Sequence, residues 1–67
     1  MGKYREKVYA LLARDEIKST NELLKELEQK TKTTINWHML HRELMDLVAD
    51  GKVERLEARA GFFWKRK

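Results

Sequence analysis

Apolar residues open the chain at Tyr4, Val8, Leu11 and Leu12, offsets of four, seven and eight that fall on one face of a helix. The spacing predicts an amphipathic helix over Lys3–Glu16, with Lys3, Arg5, Lys7 and Arg14 on its wet side and Tyr9 off the stripe. Ile17-Lys18 breaks the period and reads as a short extended piece that buries Ile17. Ser19-Thr20-Asn21-Glu22 has the form of a capping box, in which the serine hydroxyl accepts from an early helical N–H while the glutamate reaches back. It opens a second helix with Leu23, Leu24 and Leu27 on its core side. That helix is expected to fade through Gln29–Thr34, six residues without an apolar anchor, as a loop or a frayed end.

The third periodic segment is the most informative. Asn36 is a good N-cap, Ile35 before it a staple or core plug, and Trp37, Leu40, Leu44, Leu47 and Val48 share one helical face. His38, Met39, Arg42, Asp46 and Ala49 face the other way. Gly51 stands where a left-handed cap needs a residue without Cβ. Beyond it the period becomes strand-like. Lys52–Ala58 and Phe62–Arg66 are two runs separated by Arg59-Ala60-Gly61, which predicts a hairpin with Gly61 supplying a positive φ. Val53 and Phe63 are expected to turn inward, with Leu56 and Trp64 on the hairpin's other side or over the end of the first helix.

Composition narrows the class. Sixty-seven residues allow one domain, 1–67, with a small core. The absence of cysteine removes disulfides, thiolate metal sites and thiol nucleophiles. No window nears the eighteen apolar residues of a spanning helix, and no charged-then-apolar leader is present, so a cytoplasmic protein without a membrane partner is expected. Two histidines three apart, His38 and His41, supply only two of the four ligands zinc prefers. Ser19 is accounted for as a cap, neither histidine has an evident orienting acid, and no glycine-rich loop exists to cradle a nucleotide. Neither an enzyme nor a cofactor is expected. High Lys and Glu with few Asn and Gln fit a thermophilic source.

Helix, short strand, helix, loop, helix, glycine, hairpin is the element order of the winged helix-turn-helix superfamily, which the chain resembles over nearly its whole length. Ile35-Asn36 looks like the step that starts a recognition helix, and Met39-Leu40 stands where such families often carry Thr-Val. Leu44, Leu47 and Gly51 match the Leu-x-x-Leu-x-x-x-Gly ending of that helix, Lys52–Arg55 resembles the first wing strand, and Phe63-Trp64-Lys65 its aromatic return. The resemblance implies an α+β, mostly helical fold, a three-helix bundle with a C-terminal β-hairpin. It also implies double-stranded DNA binding through a recognition helix at about 36–50 and a basic wing at about 52–66, with transcription regulation or a replication-related role in the nucleoid. The wing carries no proline, and Met45 stands where the subgroup that reads left-handed Z-form duplexes has its tyrosine. Both departures argue against that subgroup.

Charge is unevenly spread along the chain. Residues 1–18 are net +2, residues 19–35 neutral, residues 36–51 net −2 and residues 52–67 net +4. The basic hairpin suits phosphate, but an acidic recognition helix does not. The bases, however, are reached by the N-terminal part of such a helix, and Asn36, Trp37, His38, Met39, His41 and Arg42 hold no acid. Arg42 would read guanine or pair with Asp46 at i, i+4. Asn36 would read adenine or a phosphate or serve only as a cap, and His38 would donate to a phosphate or base edge. Lys32, Thr33 and Thr34 precede the helix and can hold a backbone phosphate. Arg59 at the wing tip would enter the minor groove or remain a solvated turn residue. Lys52, Arg55, Lys65, Arg66 and Lys67 would contact phosphates, the last three being otherwise a solubilising tail. The aromatics Phe62, Phe63 and Trp64 would stack on single-stranded bases or form the hairpin's core.

The rival expectation is a protein-interaction winged helix from a replication or other multi-subunit assembly, motivated by the acidic third helix with Met39 and Met45 exposed. Structured RNA is a third partner. A palindromic target would require two copies paired through the first helix or an aromatic face of the wing.

Overall fold

The computed structural model describes residues 4–12 and 16–67. Three helices and three strands follow in the order α1 (Arg5–Leu11), β1 (Ile17–Ser19), α2 (Thr20–Thr31), α3 (Trp37–Ala49), β2 (Val53–Ala58) and β3 (Gly61–Arg66). Together they form a small α+β domain with an antiparallel sheet ordered β1-β3-β2.

α1 is shorter than its periodicity suggests. It has no side-chain cap of its own, and Leu12 closes it in an extended conformation. Glu16 is outside the helix, while Lys3 and residues 13–15, with Arg14, lie outside the described residues. A helix this short is not stable alone, so tertiary contacts must hold it. The Tyr4 N–H at its start donates to the Glu43 carboxylate of α3 at 3.2 Å, and Arg5 pairs with Asp50 at the end of α3.

α2 begins as expected. Ser19 Oγ accepts from the Glu22 N–H at 3.1 Å, and Glu22 accepts from the Ser19 N–H at 3.3 Å. Its far end differs, because Gln29, Lys30 and Thr31 are helical rather than frayed. Two side chains hold that last stretch. Thr31 donates its hydroxyl to the Leu27 carbonyl at 2.8 Å, and Glu28 accepts the Ile35 N–H at 2.9 Å. Lys32 then reverses the chain at φ 56° and ψ 37°.

α3 is capped at both ends. Asn36 Oδ1 accepts from His38 N–H at 2.8 Å and Met39 N–H at 3.3 Å. At the other end Gly51 takes φ 74°. There the Gly51 N–H reaches Val48 O at 2.9 Å and the Lys52 N–H reaches Leu47 O at 3.0 Å, the two bonds of a Schellman motif. Its faces depart from the expected wheel at two positions, and a third residue, Glu43, belongs to neither expected face. Trp37 is exposed, Met39 is half-buried against the core, and Glu43 is buried.

The hairpin is displaced by one residue. Ala58 pairs with Gly61, so the loop is Arg59-Ala60 and not three residues long, and Val53 faces Arg66 while Arg55 faces Trp64. Directly opposed residues of antiparallel strands share a face, and a one-residue slip exchanges the faces. Trp64 therefore joins Val53 inside, and Phe63 lies outside with Leu56. This reverses the expected sides of Phe63 and Trp64. β1 adds to the other edge of β3, with Ile17 opposite Lys65 and Lys18 opposite Trp64. Ile17, expected to be buried, falls on the outer face and is 54% exposed. The core between helices and sheet is Val8, Leu12, Leu23, Leu27, Ile35, Leu40, Leu44, Leu47, Val53 and Trp64. Trp64 settles its indole N–H on Thr20 Oγ1 at 2.7 Å.

Candidate nucleic-acid interface

The start of α3 is presented to solvent because the core takes the helix from Leu40 onward. Lys32, Thr33, Thr34, Asn36, Trp37, His38 and Arg42 are all exposed. Among the described residues Arg42 makes no ion pair, and its expected bridge to Asp46 is not formed. Asn36 spends its side-chain oxygen on the cap.

Two of the three acids of the segment are occupied inside the molecule. Glu43 turns inward to the first N–H of α1, where a carboxylate also suits the positive end of the helix dipole. Asp50 is held by Arg5. Asp46 is exposed on the outer side of α3 and, among the described residues, makes no ion pair.

His41 is placed differently from its neighbours. Its ring lies parallel to that of Trp37, 4.9 Å between centroids and 9° between planes. It also meets Phe62 at 5.6 Å and Trp64 edge-on at 5.7 Å. Its Nδ1 is buried without a hydrogen-bond partner among the described residues. His41 thus packs α3 against the hairpin instead of standing free. The Trp37 ring, laid on it and met edge-on by His38 at 5.4 Å, is held in a fixed attitude.

The expected cationic ribbon is divided by the sheet's geometry. Arg59 is exposed at the hairpin tip. Arg55 points to the inner side, its guanidinium 5.1 Å from the Phe62 ring centroid and 3.0 Å from the Glu57 carboxylate. Arg66 is turned onto α1, donating to the Tyr9 carbonyl at 3.0 Å and lying 4.0 Å over the Tyr9 ring. Lys65 is half-buried on the outer face opposite Ile17. Lys52 follows the C-terminal end of α3, beside Tyr9, about 20 Å along the helix from Trp37. Lys32–Thr34, Asn36, Trp37, His38 and Arg42 lie at and before the start of α3, whose Trp37 stands near Ala60 and Gly61 of the hairpin tip, next in the chain to Arg59. Lys52, Lys65 and Arg66 lie at the sheet's other end.

Between the start of α3 and the hairpin tip lies a cleft of about 290 Å³, lined by Ser19, Thr20, Asn21, Trp37, Ala60, Gly61 and Phe62. Sequence reasoning passed over Asn21, and named Phe62 only among the hairpin aromatics that would stack on bases or form its core. The capping box located the start of α2, but only the sheet's register brings that helix start beside the hairpin. Behind the cleft, Lys18 ties the layers together. Its ammonium donates to Leu11 O at 2.7 Å and to Glu26 at 2.8 Å. The hydrogen bond to Glu26 holds its pKa above the ordinary lysine value, aided by the charges of Glu26, Glu16 and Glu22 and opposed by burial.

No family model, curated protein or solved structure matches the chain. No helix among the described residues is long and apolar enough to cross a membrane.

Proposed function

We propose that the chain is a winged-helix domain that binds double-stranded DNA, with α3 as recognition helix and the β2–β3 hairpin as wing, in transcription regulation within the nucleoid. The observation that carries this reading is the state of the acids on α3. With Glu43 buried and Asp50 paired, the first two turns of the helix offer Asn36, Trp37, His38 and Arg42 to a polyanion without a facing carboxylate. Such a helix enters the major groove by its N-terminal residues, where the unpaired Arg42 can take guanine O6 and N7. Lys32, Thr33 and Thr34 lie ahead of it for a backbone phosphate, and Arg59 projects from the tip toward the adjacent groove. The element order and the hairpin that closes the sheet agree with the family resemblance. The role is one of binding, not catalysis.

Titration of a labelled duplex at two salt concentrations tests it. Binding should weaken steeply as salt rises, because each neutralised phosphate releases counterions. Arg42→Ala should cost about 1–3 kcal/mol and relax base preference, while Arg59→Ala should lower the salt slope by about 1. No binding at low salt, or full affinity in both variants, would refute the reading.

The rival, a protein-binding module of a larger assembly, is favoured by the outer face of the sheet. There Leu56 and Phe63 lie opposite each other beside the exposed Ile17, and no described element covers them. It is the reading to adopt if the duplex titration fails.

A further inference from the structure

We infer that the cleft between the start of α3 and the hairpin tip takes one unpaired nucleobase, stacked against Trp37. Within the described residues, Trp37 and Ile17 are the two large apolar side chains left exposed, and Trp37 is the one that lines a cleft. One face of its indole rests on His41 at 4.9 Å, so the ring is fixed before any ligand arrives. Phe62 is also part of the wall, steadied by the Arg55 guanidinium 5.1 Å from its centroid and by His41. Asn21, at the start of α2, supplies the polar edge. Its exposed amide has two donors and an acceptor and no partner among the described residues.

Aromatic walls with a single amide suit a planar heteroaromatic ring that has its own hydrogen-bonding edge. No charged side chain lines the cleft, so phosphate is not what it selects. Its volume of about 290 Å³ lies at the small end for ligand sites, enough for one ring system but not for a folded peptide. A paired base is stacked within its duplex and cannot enter. An unpaired one can, and stacking on aromatic side chains contributes to affinity whatever the base. His38 and Arg59, exposed and next in the chain to the lining residues Trp37 and Ala60, are placed for the flanking strand. This inference rests on the DNA-binding reading and narrows it to DNA containing an unpaired nucleotide.

The test is a titration of the whole chain with three DNAs of one sequence: a fully paired duplex, the duplex with a single-adenine bulge, and the same bulge with an abasic site. The adenine bulge should bind about tenfold more tightly than the abasic one. The fluorescence of 2-aminopurine in the bulge should fall on binding. Trp37→Ala should abolish the adenine-to-abasic difference, and Trp37→Phe should keep part of it. Equal binding of the two bulges by the parent, or a difference that survives Trp37→Ala, overturns the inference. If those bulges bind equally and the paired duplex also binds, the slot fails while the DNA reading stands. If the adenine bulge binds more tightly than the abasic one and the paired duplex does not bind, the slot stands and the paired-duplex reading falls. If none of the three binds, both fall.

Discussion

Gly51 and Trp64 show how much single positions decide here. Gly51 sits at φ 74° with open space where a Cβ would be built, so a side chain there meets backbone strain and no clash. Gly51→Ala should therefore cost about 1–2 kcal/mol, and Gly51→Asn less, in urea denaturation. Equal costs for the two would mean that the left-handed backbone is not the cause. Trp64 poses the opposite case, a large side chain with one polar atom to satisfy deep in the core. Trp64→Phe removes the donor to Thr20 Oγ1 and reduces the packed volume, and should cost about 2–4 kcal/mol. Thr20→Val should cost less in that background than in the parent, which a double-mutant cycle would measure. The glycine could be recognised from the leucine spacing before it, because caps are local. The inward tryptophan could not, since nothing within the hairpin's sequence distinguishes a two-residue loop from a three-residue one.

Helix ends and their connections carry the next set of consequences. α2 closes on Lys32, a residue with a Cβ in the left-handed region, where glycine is at ease. Lys32→Gly should raise stability by up to about 1 kcal/mol in thermal or urea unfolding. The same change should weaken duplex binding if the lysine meets a phosphate, so stability and affinity would move in opposite directions. Lys18 links the end of α1, the sheet and α2 through its bonds to Leu11 O and Glu26. Lys18→Met should cost on the order of 1 kcal/mol. Because the folded state raises this lysine's pKa, it contributes stability that is fully present below the unfolded-state pKa. That contribution is lost as pH rises through the folded pKa. The parent should accordingly lose stability at strongly alkaline pH by an amount missing from Lys18→Met. Parallel alkaline profiles for the two proteins would contradict the assignment. The helices were legible because their stripes and caps lie within a few residues. The true end of α2 was not, because Glu28 holds the Ile35 N–H from seven residues away.

At the scale of the whole molecule, charge is sorted by tertiary contacts and not by chain segment. The net −2 of residues 36–51 counts against DNA only if its acids face outward, and the fold buries Glu43 and pairs Asp50. The basic C-terminal segment likewise splits, with Arg59 at the tip beside α3 and Lys52, Lys65 and Arg66 at the far end. Lys52→Ala with Lys67→Ala should thus reduce duplex affinity less than Arg42→Ala with Arg59→Ala, although both pairs remove two positive charges. A larger loss from the first pair would move the interface to the other end of the sheet. The sequence by itself determined where the three helices run, the caps that open α2 and bound α3, the hairpin and the leucine core, because each follows from periodicity or from backbone groups satisfied by near neighbours. Only the tertiary structure decided which face of the hairpin is buried, the pairing of β1 with β3, the engagement of Glu43 and Asp50 by α1, and the cleft beside Trp37. Each of those depends on a register or a contact between residues far apart in the chain, and no local pattern encodes it.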